Sequence, residues 1–143
     1  MTKALDDTSY FNLISETQIR KTGLSYFNVK ILNSSSRNII VGIGSKFIRG
    51  IQNAYTHPDF IGFYLFGEGY IWEKTNQREL NLKSHPIENG VVITTIVDMD
   101  LGYIFWEICR VRVSYAVIPQ ELRAKMLMPV IMMVNVNDAV LLP

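Results

Sequence analysis

The segment that decides the fold class is Val91–Met99, which reads VVITTIVDM. Its odd-numbered positions form a mostly apolar face that repeats every second residue. Alternate residues of an extended chain point to the same side, so this pattern predicts a β-strand with one buried face. No stretch of the chain keeps an apolar stripe at helical spacing over three turns. The sequence therefore predicts an all-β protein.

Composition supports this prediction, because the chain has 17 isoleucines and 12 valines but only 5 alanines. Branched side chains fit a pleated surface better than a helix. Short apolar runs separated by polar or glycine-bearing turns favour a sandwich or barrel, with one short helix at Pro119–Lys125. The predicted strands are Asn12–Arg20, Ser25–Leu32, Ile39–Lys46, Gly62–Phe66, Tyr70–Trp72, Val91–Met99, Tyr103–Glu107, Val111–Val117, Met128–Val134 and Ala139–Leu142.

The length of 143 residues suits one domain. Residues 1–9 are polar and predict a frayed N-terminal tail, and residues 10–143 predict a single domain. The formal net charge of +1 argues against a nucleic-acid-binding protein. One cysteine excludes a disulfide framework, and neither a signal peptide nor a membrane-spanning run is recognised. We therefore expect a soluble, cytoplasmic protein without membrane partners.

Five segments, in order, carry a resemblance to a known family. They are Tyr26–Ile31 (YFNVKI), Val41–Lys46 (VGIGSK), Asp59–Tyr64 (DFIGFY), Asn89–Trp106 (NGVVITTIVDMDLGYIFW) and Met128–Ile131 (MPVI). Their order and spacing resemble the SPRY domain, whose pattern includes Y-W-E-V, V-G-(I/V)-A, G-D-V-I-G-x-L-L-D-L-D and Y-P-A-V. The resemblance covers residues 10–142, nearly the whole chain, and indicates a divergent member.

The resemblance implies a bent, antiparallel β-sandwich of the concanavalin-like jelly-roll type. It also implies a non-enzymatic module that recognises a peptide or a folded protein through loops at one end. Neither a catalytic residue, a cofactor, a metal nor a small-molecule substrate is implied. The family's Asn-Gly turn is absent from Phe105–Cys109, so we expect a different or longer turn there. A phase shift in the apolar pattern independently places a turn or bulge near Glu107–Arg110.

The segment Arg49–Asp59 is the main candidate for partner contact. It is longer than a hairpin needs, and long loops on rigid scaffolds tend to be functional. Its candidate contact residues are Arg49, Asn53, Tyr55 and His57. In several SPRY domains a tyrosine in this region contacts the bound peptide, and Tyr55 is the nearest match. An ordinary half-buried loop tyrosine fits Tyr55 equally well.

A second candidate contact region follows from the resemblance alone. The family's C-terminal contact region, after the Y-P-A-V motif, corresponds to Asn135 and Val136. We expect these two residues to contribute to partner binding together with the loop.

Two motifs suggest other chemistry but favour a structural interpretation. Asp98 and Asp100 share one face of an extended chain, as paired acid–base carboxylates or calcium ligands would. The further ligands of a calcium loop are absent, so aspartates that cap a turn are expected. Gly42 and Gly44 lack the third glycine and the helix of a dinucleotide fingerprint. Close sheet packing or a bend is expected instead.

Single reactive side chains are also assigned structural roles. Cys109 with His57 or His85 could form a nucleophilic pair, but no third orienting group can be assigned. We expect Cys109 to be a buried structural thiol. Trp72 and Trp106 are expected to be core or half-buried packing groups.

Two other functional classes remain open at this stage. One is a structural subunit of a large assembly, in which the six methionines and many exposed isoleucines would form contact surface. The other is a lectin-like carbohydrate binder, suggested only by the sandwich shape.

Overall fold

A computed structural model describes residues 11–33, 38–51, 53–65, 69–73, 76–80, 87–134 and 137–142. These residues form two antiparallel sheets, one α-helical turn, α1, at Gln120–Arg123, and two 3₁₀ turns. The predicted tail, residues 1–9, lies outside the described residues. The strands are β1 (Phe11–Ile14), β2 (Leu24–Ile31), β3 (Ile39–Ser45), β4 (Phe60–Tyr64), β5 (Tyr70–Glu73), β6 (Asn76–Glu79), β7 (Val92–Asp98), β8 (Tyr103–Ile108), β9 (Val111–Val117), β10 (Leu127–Met133) and β11 (Ala139–Leu141).

The two sheets form a sandwich, as the sequence predicts. Sheet A has six strands in the order β1-β10-β3-β4-β5-β6, and sheet B has five in the order β11-β2-β7-β8-β9. Every pair of neighbouring strands is antiparallel. The first and last strands of each order are edge strands, and the two inner faces bury the main core.

Trp106 joins the two sheets across this core. Its side chain on β8 is fully buried, and its ring centroid lies 5.8 Å from that of Phe63 on β4. The indole nitrogen donates a hydrogen bond to the carbonyl of Val41 on β3, at 3.1 Å. A buried indole N–H needs such a partner. The expectation that Trp106 is a packing group is confirmed.

The decisive segment folds as its pattern predicts. Ile93, Thr95, Val97 and Met99 are buried, and Val91 is partly buried. The intervening residues of β7 are only partly buried because they lie on the outer face of sheet B. The period of two is therefore a correct guide to which side of β7 faces the core.

Glycines bring the middle strands of sheet A into close contact. A Cβ atom on Gly42 would lie 1.9 Å from the carbonyl oxygen of Ile61, and one on Gly62 would lie 2.3 Å from the Phe60 ring. Gly42 and Gly62 are direct partners across β3 and β4. The interpretation of Gly42 as a close-packing residue is confirmed.

Several predicted element bounds are wrong. The first strand ends at Ile14 rather than Arg20, because the chain then crosses from sheet A to sheet B. The fourth predicted strand is displaced and lies at Phe60–Tyr64. The predicted helix is a single turn. Strand β6 was missed because its sequence, NQRE, has no apolar face.

The turn between β8 and β9 lies where the apolar pattern places it, and its sequence differs from the family's Asn-Gly. It has two residues, Cys109 and Arg110, with φ of 51° and 69°. Two central residues at positive φ are the requirement of a type I′ turn, so the missing Asn-Gly is not replaced by a longer turn. The predicted bulge is confirmed by a register shift between Trp106 and Glu107. Cys109 is exposed rather than buried, because it is the tip of this turn.

Candidate functional site

The long connection from β3 to β4 folds back over the outer face of sheet A. It contains two 3₁₀ turns, Lys46–Ile48 and Ala54–Thr56. Ile48 and Ala54 are buried, although they lie outside the sandwich core. They belong to a second apolar cluster, whose buried members are Ile40, Ile48, Ala54, Phe60, Val130 and Met132. The connection is therefore a packed cover and does not project as a free tip.

A buried carboxylate clamps the two ends of this cover together. Asp59 is 6% exposed, and it accepts hydrogen bonds from the hydroxyl of Ser45 at 2.7 Å and from the ammonium of Lys125 at 2.6 Å. The backbone N–H of Ser45 also donates to the carbonyl of Asp59. Lys125 follows α1, so the clamp ties the cover to the connection before β10 as well.

This clamp sets the ionisation of Asp59. Burial by itself raises the pKa of the carboxyl, but the hydrogen bonds from Lys125 and Ser45 and the positive charge of Lys125 outweigh it. The net result is a pKa below the ordinary value of 3.8. Asp59 is therefore ionised at neutral pH, and its charge is used to hold the cover in place.

Further hydrogen bonds fix the middle and the second half of the cover. The side-chain amide of Asn12 on β1 donates to the carbonyls of Ile48 and Ile51, at 2.9 and 3.0 Å. The Nδ1 atom of His57 accepts a hydrogen bond from the backbone of Asp59 at 3.0 Å. These contacts explain how a connection with little regular structure can present side chains in defined positions.

One side of the cover presents an apolar group surrounded by cations. Phe47 is 61% exposed, and the ammonium groups of Lys46 and Lys125 lie 6.0 and 5.8 Å from its ring centroid. Cation–π attraction extends to about 6 Å from the ring centroid, so Lys46 lies at this limit and Lys125 lies within it. The side chain of Met126, also exposed, lies on the same cleft, together with Arg49.

The cleft beside Phe47 has a volume of about 430 Å³. It opens between the cover, the segment after β1 and the start of β10. Its lining residues are Ser15, Glu16, Lys46, Phe47, Arg49, Met126 and Met128. We call this surface, together with Lys125, the Phe47 cleft.

The predicted contact residues do not all meet at this cleft. Arg49 is exposed and lines it. Asn53, in the left-handed conformation with φ of 56°, precedes the second 3₁₀ turn and is partly buried. Tyr55 is half-buried and packs edge-to-face on Trp72, with ring centroids 5.0 Å apart. His57 is partly buried beside the clamp. The cover therefore carries both the predicted tyrosine and the cleft, at separate places.

Asn135 and Val136 lie outside the described residues. Strand β10, which precedes them, ends at Met133 opposite Ile39, the first residue of β3. The cover follows the last residue of β3. The roles of Asn135 and Val136 in partner binding stay predictions.

The sequence did not predict Phe47, Lys125 or Met126 as candidate contact residues. Phe47 is an odd-numbered residue like Val41, Ile43 and Ser45 of β3. If the strand continued, its side chain would point to the same side as theirs, into the core. The 3₁₀ turn that begins at Lys46 breaks this alternation and turns the ring outward. The signal was present in Ser45, which caps the turn by accepting from the backbone N–H of Phe47.

A second exposed apolar surface covers the outer face of sheet B. Strand register places its residues in two rows across β2, β7, β8 and β9. In one row Tyr26 and Tyr115 are exposed, and in the next Leu24 and Val117 are exposed. Arg112 lies over the Phe105 ring at 4.0 Å. We call this surface the sheet B face; its residues are Leu24, Tyr26, Ile96, Asp98, Tyr103, Phe105, Arg112, Tyr115 and Val117.

The observed contacts favour structural roles for the remaining motifs. Asp98 accepts hydrogen bonds from the backbone N–H groups of Asp100 and Leu101, at 3.1 and 2.9 Å, as predicted for a capped turn. Within the described ranges, acidic, histidine and cysteine side chains form no group of three suited to a metal ion. His85 lies outside those ranges. In the same part of the chain, no helix has the length and apolar character needed to span a membrane.

Comparisons with known proteins show what this architecture is. The sequence matches neither a protein-family model nor a curated protein. Solved structures match with high probability. The TRIM65 PSpry domain has a TM-score of 0.74 and 12% identity, covering 93% of this chain and 71% of that one. The SPRY domain of human HERC1 has a TM-score of 0.69 and 16% identity, covering 93% and 80%.

A third solved structure, a human SPRY domain, has a TM-score of 0.71 and 18% identity, covering 95% of this chain and 86% of that one. At these identities the comparisons establish the fold. The chain has the SPRY-type β-sandwich that its sequence motifs resemble.

Proposed function

We propose that this chain is a cytoplasmic, non-enzymatic module that recognises another protein through the β3–β4 cover and the Phe47 cleft. The observation that carries this proposal is Phe47, a large ring that is 61% exposed on a connection held rigid by a buried clamp. An exposed ring costs free energy in water, and aromatic and arginine side chains dominate interface energetics. A preorganised cover also lowers the entropy that binding must offset.

The charge of the cleft indicates the chemistry of the partner. Lys46 and Arg49 line it, and Lys125 lies beside the Phe47 ring; Glu16 is its one acidic lining residue. Lys125 and Asp59 neutralise each other within the protein, so the positive charge of the cleft comes from Lys46 and Arg49 against Glu16. A partner segment with an acidic side chain next to an apolar one therefore complements the cleft, and steering by these charges would raise the association rate.

The predicted tyrosine fits this proposal as a support or as a second contact. Tyr55 packs on Trp72 and on the second apolar cluster, so its ring holds the far end of the cover. If it also contacts the partner, truncation to alanine should weaken binding by about 1–2 kcal/mol. Arg49 and Asn53 would orient the partner, together with backbone amides of the cover.

The test starts with native co-purification and mass spectrometry to identify the partner. Its dissociation constant is then measured by calorimetry for the natural chain and for the Phe47→Ala and Arg49→Glu variants. We expect each variant to bind at least tenfold more weakly. The matched control is Val111→Ala, which removes an exposed apolar side chain from β9, away from the cover. Equal binding by Phe47→Ala and the natural chain would refute the proposal.

The second candidate function is a permanent subunit of a larger assembly, and the sheet B face favours it. Aromatic and aliphatic side chains occupy two adjacent rows of this sheet, apart from Asp98 between Leu24 and Tyr103. Large exposed apolar patches mark interaction sites. The sequence predicted a contact surface of methionines and isoleucines, but the sheet B face is built mainly from other residue types. Ile51 is the one isoleucine among the exposed large apolar residues in the described chain, and Met99, Met128, Met132 and Met133 are buried.

Sedimentation velocity separates the two functions. A stable monomer at micromolar concentration supports transient recognition. Self-association that Tyr26→Lys together with Tyr115→Lys abolishes would support the subunit function.

A further inference from the structure

We infer that the chain has a second binding site, in which β2 accepts an added strand from an extended, acidic peptide segment of a partner. The site is a groove of about 670 Å³ at the edge of the sandwich. Its size falls within the usual range of ligand pockets, roughly 300–1,000 Å³. One wall is the segment from Ser15 to Arg20, and the other is the first half of β2.

The groove exists because β11 is shorter than β2. Strand β11 pairs only with Val29, Lys30 and Ile31 of β2, and the hydrogen bond from Leu142 to the carbonyl of Asn28 ends the pairing. Residues 24–27 continue for about 13 Å at roughly 3.3 Å per residue. In the described chain, strand pairing covers this part of β2 on the β7 side alone.

Hydrogen-bond parity shows which backbone groups face the groove. Gly23 and Ile31 both bond to the β7 side, through Met99 and through Val91 and Gly90. In an antiparallel ladder such residues alternate with residues whose N–H and C=O point the other way. The odd positions of β2 therefore face β7. The N–H and C=O groups of Leu24 and Tyr26 point into the groove.

The lining specifies the side chains of the occupant. Ile19, Phe27, Pro129 and Leu142 supply an apolar floor. Arg20 is exposed and is the one charged residue among the lining residues. An incoming strand with apolar residues on its inward positions and a carboxylate near Arg20 would satisfy both features.

The shape favours a peptide over a second copy of this chain. The segment after β1 forms one side of the groove, and Leu141 and Leu142 close one end, so the edge is recessed. A single extended segment can enter such a recess. The edge strand of a folded copy would carry the rest of its sheet against these walls.

Hydrogen exchange measured by NMR tests the free edge before any ligand is added. We expect the amides of Ser25 and Phe27, which bond to β7, to exchange at least a hundredfold more slowly than the amide of Tyr26. Equal protection of Tyr26 and Phe27 in the free chain would show that the edge is already covered and would overturn the inference.

Peptide titration then tests the occupant. The probes are blocked heptapeptides of alternating valine and threonine with aspartate or lysine at the centre. We expect the aspartate peptide to protect the Tyr26 amide and to bind at least tenfold more tightly than the lysine peptide. Arg20→Glu should reverse this preference. Failure of the aspartate peptide to protect Tyr26, or self-association of the free chain through this edge, would contradict the inference.

Two substitutions at one position separate the backbone from the side chain. Tyr26→Pro removes the ring, as Tyr26→Ala does, and also removes the groove-facing N–H. This amide does not bond to β7, and proline is tolerated on such edges. We expect it to weaken binding of the aspartate peptide at least tenfold, whereas Tyr26→Ala should change it less than twofold. Phe47→Ala should leave peptide binding unchanged, which separates this site from the Phe47 cleft. Equal effects of Tyr26→Pro and Tyr26→Ala would overturn strand addition.

Discussion

The outer faces of the two sheets both carry apolar side chains, but only those of sheet A are covered by a loop. On sheet A, Ile40, Phe60, Val130 and Met132 are buried under the β3–β4 connection. On sheet B, Leu24, Tyr26, Tyr115 and Val117 are exposed. The difference lies in the connections: the one after β3 is long enough to fold back, whereas β8 and β9 are joined by two residues. A strand's alternation therefore shows which side can be buried, and the loops decide whether both sides are.

The largest expected effect contrasts one ring on each outer face. Phe60→Ala should lower the free energy of unfolding by about 3–5 kcal/mol, because it empties the space between sheet A and its cover. Tyr26→Ala removes a ring that is 73% exposed and should cost less than about 0.5 kcal/mol. Urea denaturation measures both. Similar losses of unfolding free energy in the two variants would contradict the claim that only the outer face of sheet A is covered.

A smaller effect is expected from the clamp that holds the cover. Asp59→Asn should lower stability by about 2 kcal/mol, because charge-assisted hydrogen bonds are lost while Lys125 stays partly solvated. The folded pKa of Asp59 lies below the ordinary 3.8. This contribution is therefore complete above that pH and is lost as the pH falls from there to the folded pKa.

Unfolding measured between pH 2 and pH 7 checks the clamp. The stability difference between the natural chain and Asp59→Asn should shrink at the acid end. A difference that is the same at all pH values would contradict the assigned role of the ionised carboxylate.

The two-residue turn between β8 and β9, which is too short to cover the sheet B face, should allow substitutions that raise stability. Cys109 and Arg110 both lie at positive φ, which costs ordinary residues free energy. Cys109→Asn combined with Arg110→Gly should raise stability by about 1–2 kcal/mol without changing the fold. Thermal unfolding measures the gain. A loss of stability would show that the turn is not of the type I′ class.

The smallest effect concerns the inner face of sheet B. The hydroxyl of Thr95 is buried and has no hydrogen-bond partner, so it contributes a desolvation cost. Thr95→Val should stabilise the chain by about 0.5–1 kcal/mol in the same urea assay. Thr94→Val on the outer face breaks a hydrogen bond with Asn28 and serves as the opposite control.

The sequence predicts strand bounds well where alternation is strong. Val111–Val117 is predicted with its observed bounds, but its side is reversed, because the small residues Ser114 and Ala116 are buried while Tyr115 and Val117 are exposed. Strand β6 could not be found, since its polar residues carry no pattern that distinguishes a strand from a loop. Cys109 was misplaced because apolar character alone does not reveal the tip of a turn.

The candidate site was predicted only in outline. The length of the connection identified the segment that forms the cover, and Arg49 lies on the Phe47 cleft. Phe47 itself was missed because a 3₁₀ turn reverses the expected side of the chain. Lys125 lies 66 residues from Asp59 and meets it only through the fold. Contacts of this kind depend on tertiary structure and leave no local signal.

Hydroxyl-radical footprinting of the complex with the co-purified partner tests the central claim most directly. The method reports the solvent exposure of individual aromatic and sulfur side chains. We predict that oxidation of Phe47 and Met126 falls at least fivefold in the complex, while Tyr26 and Tyr115 stay as reactive as in the free chain. Protection of Tyr26 and Tyr115 with unchanged Phe47 and Met126 would contradict the claim and place the partner on the sheet B face.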